Sequence, residues 1–187
     1  TLDKYKPGKF ILFVGCLEPR KNLMRLFRAF EHSNLYHDMT LTLAGPGGWR
    51  FDELESVWHS LKCKDRIRWL NYVSDEKLSV LYKRAEFLAF PSIAEGFGLP
   101  ILEAMSAGCP VLTSNVSSMP EVAGNAACYV DPFEVESISE GMLKLAADSK
   151  LREQLAESGK TRCLEFTWEK MAAELMTAFT DAVSGRK

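Results

Sequence analysis

The chain has no Cys-x-x-Cys pair, no Gly-x-Gly-x-x-Gly behind its first apolar run, and no excess of positive charge. Each absence removes a class. The five cysteines (Cys16, Cys63, Cys109, Cys128 and Cys163) are odd in number and widely spread. That is poor arithmetic for a disulfide framework or a zinc site, and it points to reduced thiols in a reducing, cytoplasmic compartment. Without the glycine fingerprint, and without an acidic residue closing the second strand, a nicotinamide dehydrogenase is a poor fit. Lys and Arg total 23 against 25 Asp and Glu, a net charge of −2, so the basic footprint of a nucleic-acid binder is missing. No apolar run is long enough to span a bilayer, and nothing in Thr1 to Lys9 resembles a signal peptide. The chain opens on Thr1 rather than Met, so a piece of a longer protein is expected.

What is present is ordinary globular chemistry: 187 residues, 47% hydrophobic and 26% charged, enough for one domain with its own core. Short apolar runs alternate with stretches of 3.6-residue period. Phe10–Val14, Thr40–Ala44, Arg66–Leu70, Phe87–Phe90, Val111–Ser114 and Ala127–Val130 read as six strands. Asn22–Phe30, Phe51–Leu61, a capped start at Ser74-Asp-Glu-Lys77, Pro100–Ala107, Val135–Ala147, Leu151–Cys163 and Thr167–Ser184 read as helices, Gly108-Cys-Pro110 stopping the fourth. This alternation predicts an α/β, Rossmann-like, doubly wound parallel sheet of about six strands with helices on both faces. Ligands of such sheets bind beyond the carboxyl ends of the strands. The loops of interest are therefore Gly15–Lys21, Gly45–Trp49, Asn71–Ser74 and Pro91–Leu99.

The charges are unevenly spread. From Phe87 to Pro120 only Glu95 and Glu103 are charged, where the chain average would put roughly nine. Between them, Glu95-Gly-Phe-Gly-Leu-Pro100 is a glycine loop running into a helix start, a source of free amides and of positive dipole for an anion. Glu103 sits in an otherwise apolar helix, where a lone carboxylate is costly unless it is received by hydrogen bonds or a ligand. Carboxylates beside an anion site suit hydroxyl groups, so the pair suggests a ligand carrying both phosphates and hydroxyls. Taken singly, each glutamate reads equally as a solvated charge; the pair around Gly-Phe-Gly is what favours a ligand. Arg20 and Lys21 precede a helix that Asn22 is placed to cap, and form a candidate diphosphate clamp, although alone they read as a solvated basic pair. His32, His37 and His59 fall on polar stretches away from these loops and read as solvated. Trp58, Trp69 and Trp168 read as packing, and Trp49, beside a glycine loop, is the one candidate stacking platform. Gly159-Lys160-Thr161 imitates a P-loop, but Gln154 stands where its first glycine belongs.

At these residues the chain resembles the family-four retaining GT-B glycosyltransferases, the glycosyl transferases of group 1. Glu95-Gly-Phe-Gly-Leu-Pro-Ile-Leu-Glu103 matches their Glu, seven residues, Glu signature. Pro19-Arg-Lys-Asn22, Ala44-Gly-Pro-Gly-Gly48, Val73-Ser-Asp-Glu76, Pro91-Ser92 and Pro120-Glu-Val122 follow in family order, across roughly residues 9 to 180. The resemblance is to the C-terminal, nucleotide-sugar-binding half, with residues 1–187 as a single domain and the N-terminal acceptor-binding domain absent. It implies transfer of a hexose from an NDP-sugar with retention, without a metal, in keeping with the lack of any Asp-x-Asp. By position it implies that Lys21, with Arg20, contacts the donor diphosphate behind Gly15. Glu95 takes hydroxyls of the transferred sugar, and the amides of Phe97, Gly98 and Leu99 face sugar and phosphate. Glu103 holds the ribose, and Val73 lines the base pocket. The helix after Phe166-Thr-Trp168 resembles the segment that crosses back to the absent domain. Many members carry Arg where this chain has Cys16, which leaves Arg20 to supply that charge or the clamp weaker. The wording of Asn115 to Val122 is similar to bacterial mannosyltransferases of polysaccharide assembly, which leans towards GDP-mannose over a UDP-sugar. The acceptor implied is a glycan or a lipid-linked sugar, with peripheral membrane contact open through the absent half. A non-catalytic nucleotide-sugar-binding module and half of a sugar-nucleotide epimerase are the alternatives.

Overall fold

Five of the six strands begin as runs without a charged residue, and such runs are stable only when both faces are covered. The computed structural model describes residues 8–48 and 51–185. It covers those faces with helices. The strands β1 (Phe10–Val14), β2 (Thr40–Ala44), β3 (Ile67–Trp69), β4 (Phe87–Phe90), β5 (Val111–Ser114) and β6 (Cys128–Val130) form one parallel sheet in the order β3-β2-β1-β4-β5-β6. Every residue of β1, β2, β4 and β5 is buried. This is the strand order of the doubly wound dinucleotide-binding folds, as the alternation predicts.

The helices are α1 (Leu23–His32), α2 (Phe51–Ser60), α3 (Asp75–Arg84), α4 (Leu99–Ser106), α5 (Met119–Ala123), α6 (Val135–Ala147), α7 (Ser149–Cys163) and α8 (Trp168–Ser184). Right-handed crossovers send α1 and α2 to one face of the sheet and α3, α4 and α5 to the other. α6 packs on α1, and α7 on α4, closing both layers. Phe13, Phe27, Phe30, Phe87 and Phe90 are the largest fully buried side chains of a continuous core. Trp58 and Trp69 pack against it with ring centroids 5.5 Å apart, as packing residues should. Trp168 does not: it is 72% exposed. Trp49 lies outside the described residues.

The structure departs from the sequence reading at three further points. β3 begins at Ile67, because Lys64–Arg66 winds into a 3-10 turn. α5 adds a short helix to those expected, and Pro120 in its first turn loses no hydrogen bond. Asn22 stands at the head of α1 with φ of 63° and no side-chain capping bond, so its side chain is released for other work. All five cysteines are free; burial pushes the thiols of Cys63 and Cys109 up to about 11 and about 12.

Candidate functional site

β1 and β4 are neighbours whose chains leave towards opposite faces, which opens a crevice at their carboxyl ends. The chain leaves β1 through Gly15, at φ of 140°, and a 3-10 turn at Pro19–Lys21. The loop after β2 crosses it so closely that a Cβ on Gly45, itself at φ of 148°, would lie 2.0 Å from the Gly15 carbonyl oxygen. Only glycine permits that passage. The turn brings the Lys21 ammonium back towards the sheet, where it sits 4.7 Å from the centroid of the Phe90 ring.

There it meets the glutamate at the head of the glycine loop. Lys21 Nζ donates to Glu95 Oε1 at 2.6 Å, and Arg20 Nη1 donates to Glu95 Oε2 at 2.7 Å. Arg20 Nε also donates to Glu18 Oε2 at 2.9 Å. The Lys21 and Glu95 side chains are each only 7% exposed, whereas Arg20 is 46% exposed. Arg20 and Lys21 are therefore not a solvated basic pair: both are turned onto Glu95. Both oxygens of Glu95 are engaged by cations from the other loop, and Glu18 completes a cluster of four charges that opens to solvent at Arg20. Arg20 supplies the second cation in a loop where Cys16 has none.

Backbone stitches hold the two loops at this separation. Ile93 N donates to Arg20 O at 2.8 Å. Asn22 Nδ2 donates to Pro91 O at 3.0 Å and to Pro132 O at 2.6 Å, joining the ends of β1, β4 and β6. Its Oδ1 accepts from Arg25 at 3.1 Å. The hydroxyls of Ser117 and Ser118 both donate to Glu95 O, and Ser118 also donates to Phe97 O at 2.8 Å. Glu95 N donates in return to Ser117 Oγ.

The loop then enters α4 through Gly98, at φ of 108°. Phe97 is exposed and meets Phe166 edge-on at 5.8 Å, and the Arg162 guanidinium lies on the other ring at 4.8 Å. Leu99 is half exposed. Among the described residues the amides of Phe97 and Gly98 donate to no protein acceptor. Glu103 is exposed rather than sunk in its apolar helix, which corrects the costly-burial reading: Ile101, Ala104 and Met105 form the buried face of α4, and Glu103 points the other way. Its Oε2 accepts from the Tyr82 hydroxyl at 2.8 Å. Burial, and then the charge of Glu103, raise the pKa of that phenol, so it stays a donor. Val73 follows β3, two strands away from β1, and is partly buried against the core. Gly45 N donates to Asn71 O at 2.8 Å and ties this stretch to the β2 loop. The fold thus gathers Gly15, Arg20, Lys21 and Glu95 at one point, sets Phe97, Gly98, Leu99 and Glu103 along the start of one helix, and leaves Val73 at the sheet's far side. His32, His37 and His59 are exposed and outside this assembly.

Residues 1–162 match the family described as glycosyl transferases group 1. The chain belongs to that family. It is 40% identical over 183 residues to the O-antigen chain mannosyltransferase B of Escherichia coli, an alignment covering 96% of this chain and 48% of that protein. Sucrose-phosphate synthase from Thermosynechococcus elongatus superposes with a TM-score of 0.83 at 23% identity, over 95% of this chain and 46% of that one. The C-terminal domain of a group 1 glycosyl transferase from Francisella tularensis superposes with a TM-score of 0.76 at 24% identity, over 87% of this chain and 88% of that one. The chain spans about half the length of the curated relatives it matches.

This group 1 glycosyltransferase domain therefore has a compact ion cluster at the crevice floor and a row of outward groups along α4. Cations in fork and point geometry beside unpaired amides can take a diphosphate, and a carboxylate released from them can take hydroxyls. Sequence motifs locate Lys21, Glu95, Gly98 and Glu103. They miss Asn22 as a bridge, Ser117 and Ser118 as loop anchors and Tyr82 as the partner of Glu103. Two signals were available: Asn tolerates the left-handed turn better than most residues, and a Ser-Ser step before a proline-bearing turn offers hydroxyls to a neighbouring loop. Among the described residues no helix is long and apolar enough to cross a membrane, and no cluster of His, Cys, Asp or Glu is placed to hold a metal ion.

Proposed function

We propose that this chain is the C-terminal, donor-binding half of a retaining glycosyltransferase. The whole enzyme would move a hexose, mannose before others, from a nucleoside-diphosphate sugar to a glycan or lipid-linked acceptor held by a second domain. The observation that carries the proposal is the convergence of Lys21 and Arg20 on Glu95 at the carboxyl ends of β1 and β4. A diphosphate offers more charge and more acceptor oxygens than one carboxylate, so it competes for both cations. Glu95 is then freed beside them, at the place where the sugar of the same donor would lie. The departing diphosphate stays under the positive charge of Lys21 and Arg20, which lowers the barrier to its leaving. In this reading Gly15 leaves room beside Lys21, the amides of Phe97, Gly98 and Leu99 face the phosphate and sugar, Glu103 takes the ribose, and the backbone near Val73 takes the base. The reading gives the enzyme a cytoplasmic setting and no cofactor of its own.

Mannose is preferred on the likeness to the Escherichia coli mannosyltransferase, and GDP-mannose over a UDP-sugar follows from it. The C-terminal placement draws on the near-complete match to a solved C-terminal domain. α8 supports a missing partner domain: Trp168, Met171, Leu175 and Phe179 share one helical face and all are at least half exposed. The family membership leaves the epimerase alternative without support.

The test is a thermal-shift panel of GDP, UDP and ADP with their hexose conjugates on this chain. One nucleotide family should raise the melting temperature in proportion to RT ln(1 + [L]/Kd), GDP and GDP-mannose most. No shift with any of them would overturn the donor-site reading. Sugar transfer by the chain alone should be feeble, and robust turnover would overturn the half-enzyme reading.

A further inference from the structure

We propose that Tyr82 is a positioning residue for ribose recognition, holding the Glu103 carboxylate by one oxygen so that the other meets the ribose hydroxyls. The inference rests on the proposed role of Glu103 and adds the residue through which that role is exerted. Tyr82 stands on α3, 3% exposed, and α3 packs against α4. Its hydroxyl reaches across to donate to Glu103 Oε2 at 2.8 Å. No cation and no other donor among the described residues touches the Glu103 carboxylate, in contrast to that of Glu95. An exposed glutamate has three rotatable bonds and samples many positions. A buried phenol has two, both fixed by packing, so its hydroxyl is a rigid anchor. The anchor takes Oε2 and leaves Oε1 open towards solvent. The entropy of ordering that carboxylate is then lost on folding rather than on ligand binding, which is how preorganisation raises affinity. The raised pKa of Tyr82 agrees, because the anchor must keep its proton.

A plain structural role is the competing account: a buried tyrosine hydroxyl needs some partner, and Glu103 would serve Tyr82 rather than the reverse. The two accounts part on a ligand lacking the hydroxyls. Tyr82→Phe keeps the ring in place, and the abandoned oxygen belongs to an exposed side chain that is free to turn to water. The variant should therefore fold, which its melting temperature checks. Calorimetry would compare GDP with 2′,3′-dideoxy-GDP, with the UDP pair alongside, on the parent chain, Tyr82→Phe and Glu103→Ala. Positioning predicts that Tyr82→Phe weakens the ribonucleotide about 3- to 10-fold and leaves the dideoxynucleotide unchanged. Equal losses for both ligands, or none, would overturn it. Glu103→Ala separates this inference from the one beneath it. If Glu103→Ala erases the preference for ribose while Tyr82→Phe preserves it, the positioning role alone fails. If Glu103→Ala leaves the preference intact, or if neither nucleotide binds the parent chain, the ribose role of Glu103 fails and Tyr82 with it.

Discussion

Glu95 and Glu103 stand at the two ends of one motif, a glycine loop and the helix it opens, and the fold treats them in opposite ways. Glu95 is nearly closed off from water, with an ammonium on one oxygen and a guanidinium on the other. Glu103 stands in solvent with a single neutral donor. A carboxylate held by two cations is part of the structure until something stronger takes them, so its ligand chemistry is conditional on that exchange. A carboxylate held by a phenol has nothing to surrender. Its second oxygen is open before any ligand arrives.

Substitutions test this contrast in descending order of effect. Lys21→Ala strips the enclosed cation from Glu95, and the loss of one member of a buried pair should lower the unfolding free energy by about 3–5 kcal/mol in a urea titration. A loss below about 1 kcal/mol would mean that the pair contributes little. Donor affinity should fall as well, by about 2–5 kcal/mol in calorimetry. Asn22→Ala removes two buried hydrogen bonds and leaves at positive φ a residue that tolerates it less well than asparagine, for a combined loss of about 2–4 kcal/mol. Asn22→Gly should recover about 1 kcal/mol of that, because glycine accepts the backbone angle, and the difference between the two variants isolates the strain. Glu95→Gln has the most telling sign. With the negative charge gone, Lys21 and Arg20 are free for a diphosphate, so GDP should bind more tightly while the extra affinity of GDP-mannose over GDP falls by about 1.5–3 kcal/mol. A parallel loss for both ligands would count against a sugar-hydroxyl role. Glu103→Gln completes the contrast: an exposed site should shift stability by no more than about 0.5 kcal/mol, leaving the effect in ribose binding alone.

The sheet is legible in the sequence because five of its six strands are short charge-free runs bounded by turn residues, and burial on both faces is the stable home for such a run. α5 was hidden by its length and by Pro120, which reads as a breaker until it is seen in a first turn. The site divides differently. Glycines, Lys21 and both glutamates are visible as a motif, but the ion cluster joins residues 74 and 75 positions apart, and spacing along a chain says nothing of such a meeting. The apparent lack of cations around Glu95 was true of the segment and false of the space. The surroundings of Glu103 were left open for a simpler reason. Composition made its helix look enclosed, whereas the period of α4 turns Leu99, Glu103 and Ser106 outward together, opposite Ile101, Ala104 and Met105. Position on the helical face, rather than the polarity of its neighbours, decides the environment of a single carboxylate.

The anchors of the crevice share one habit. Asn22 grips the carbonyls of Pro91 and Pro132, and Ser117 and Ser118 grip those of Glu95 and Phe97. A carbonyl is supplied by every amino acid, so these grips do not depend on which side chain the gripped residue carries. The shape of the cradle is thereby uncoupled from the chemistry of its lining. If the proposed donor site holds, substitution at Phe97 retunes what the crevice accepts without moving the main chain that shapes it, and this loop is the place at which donor choice would be redirected.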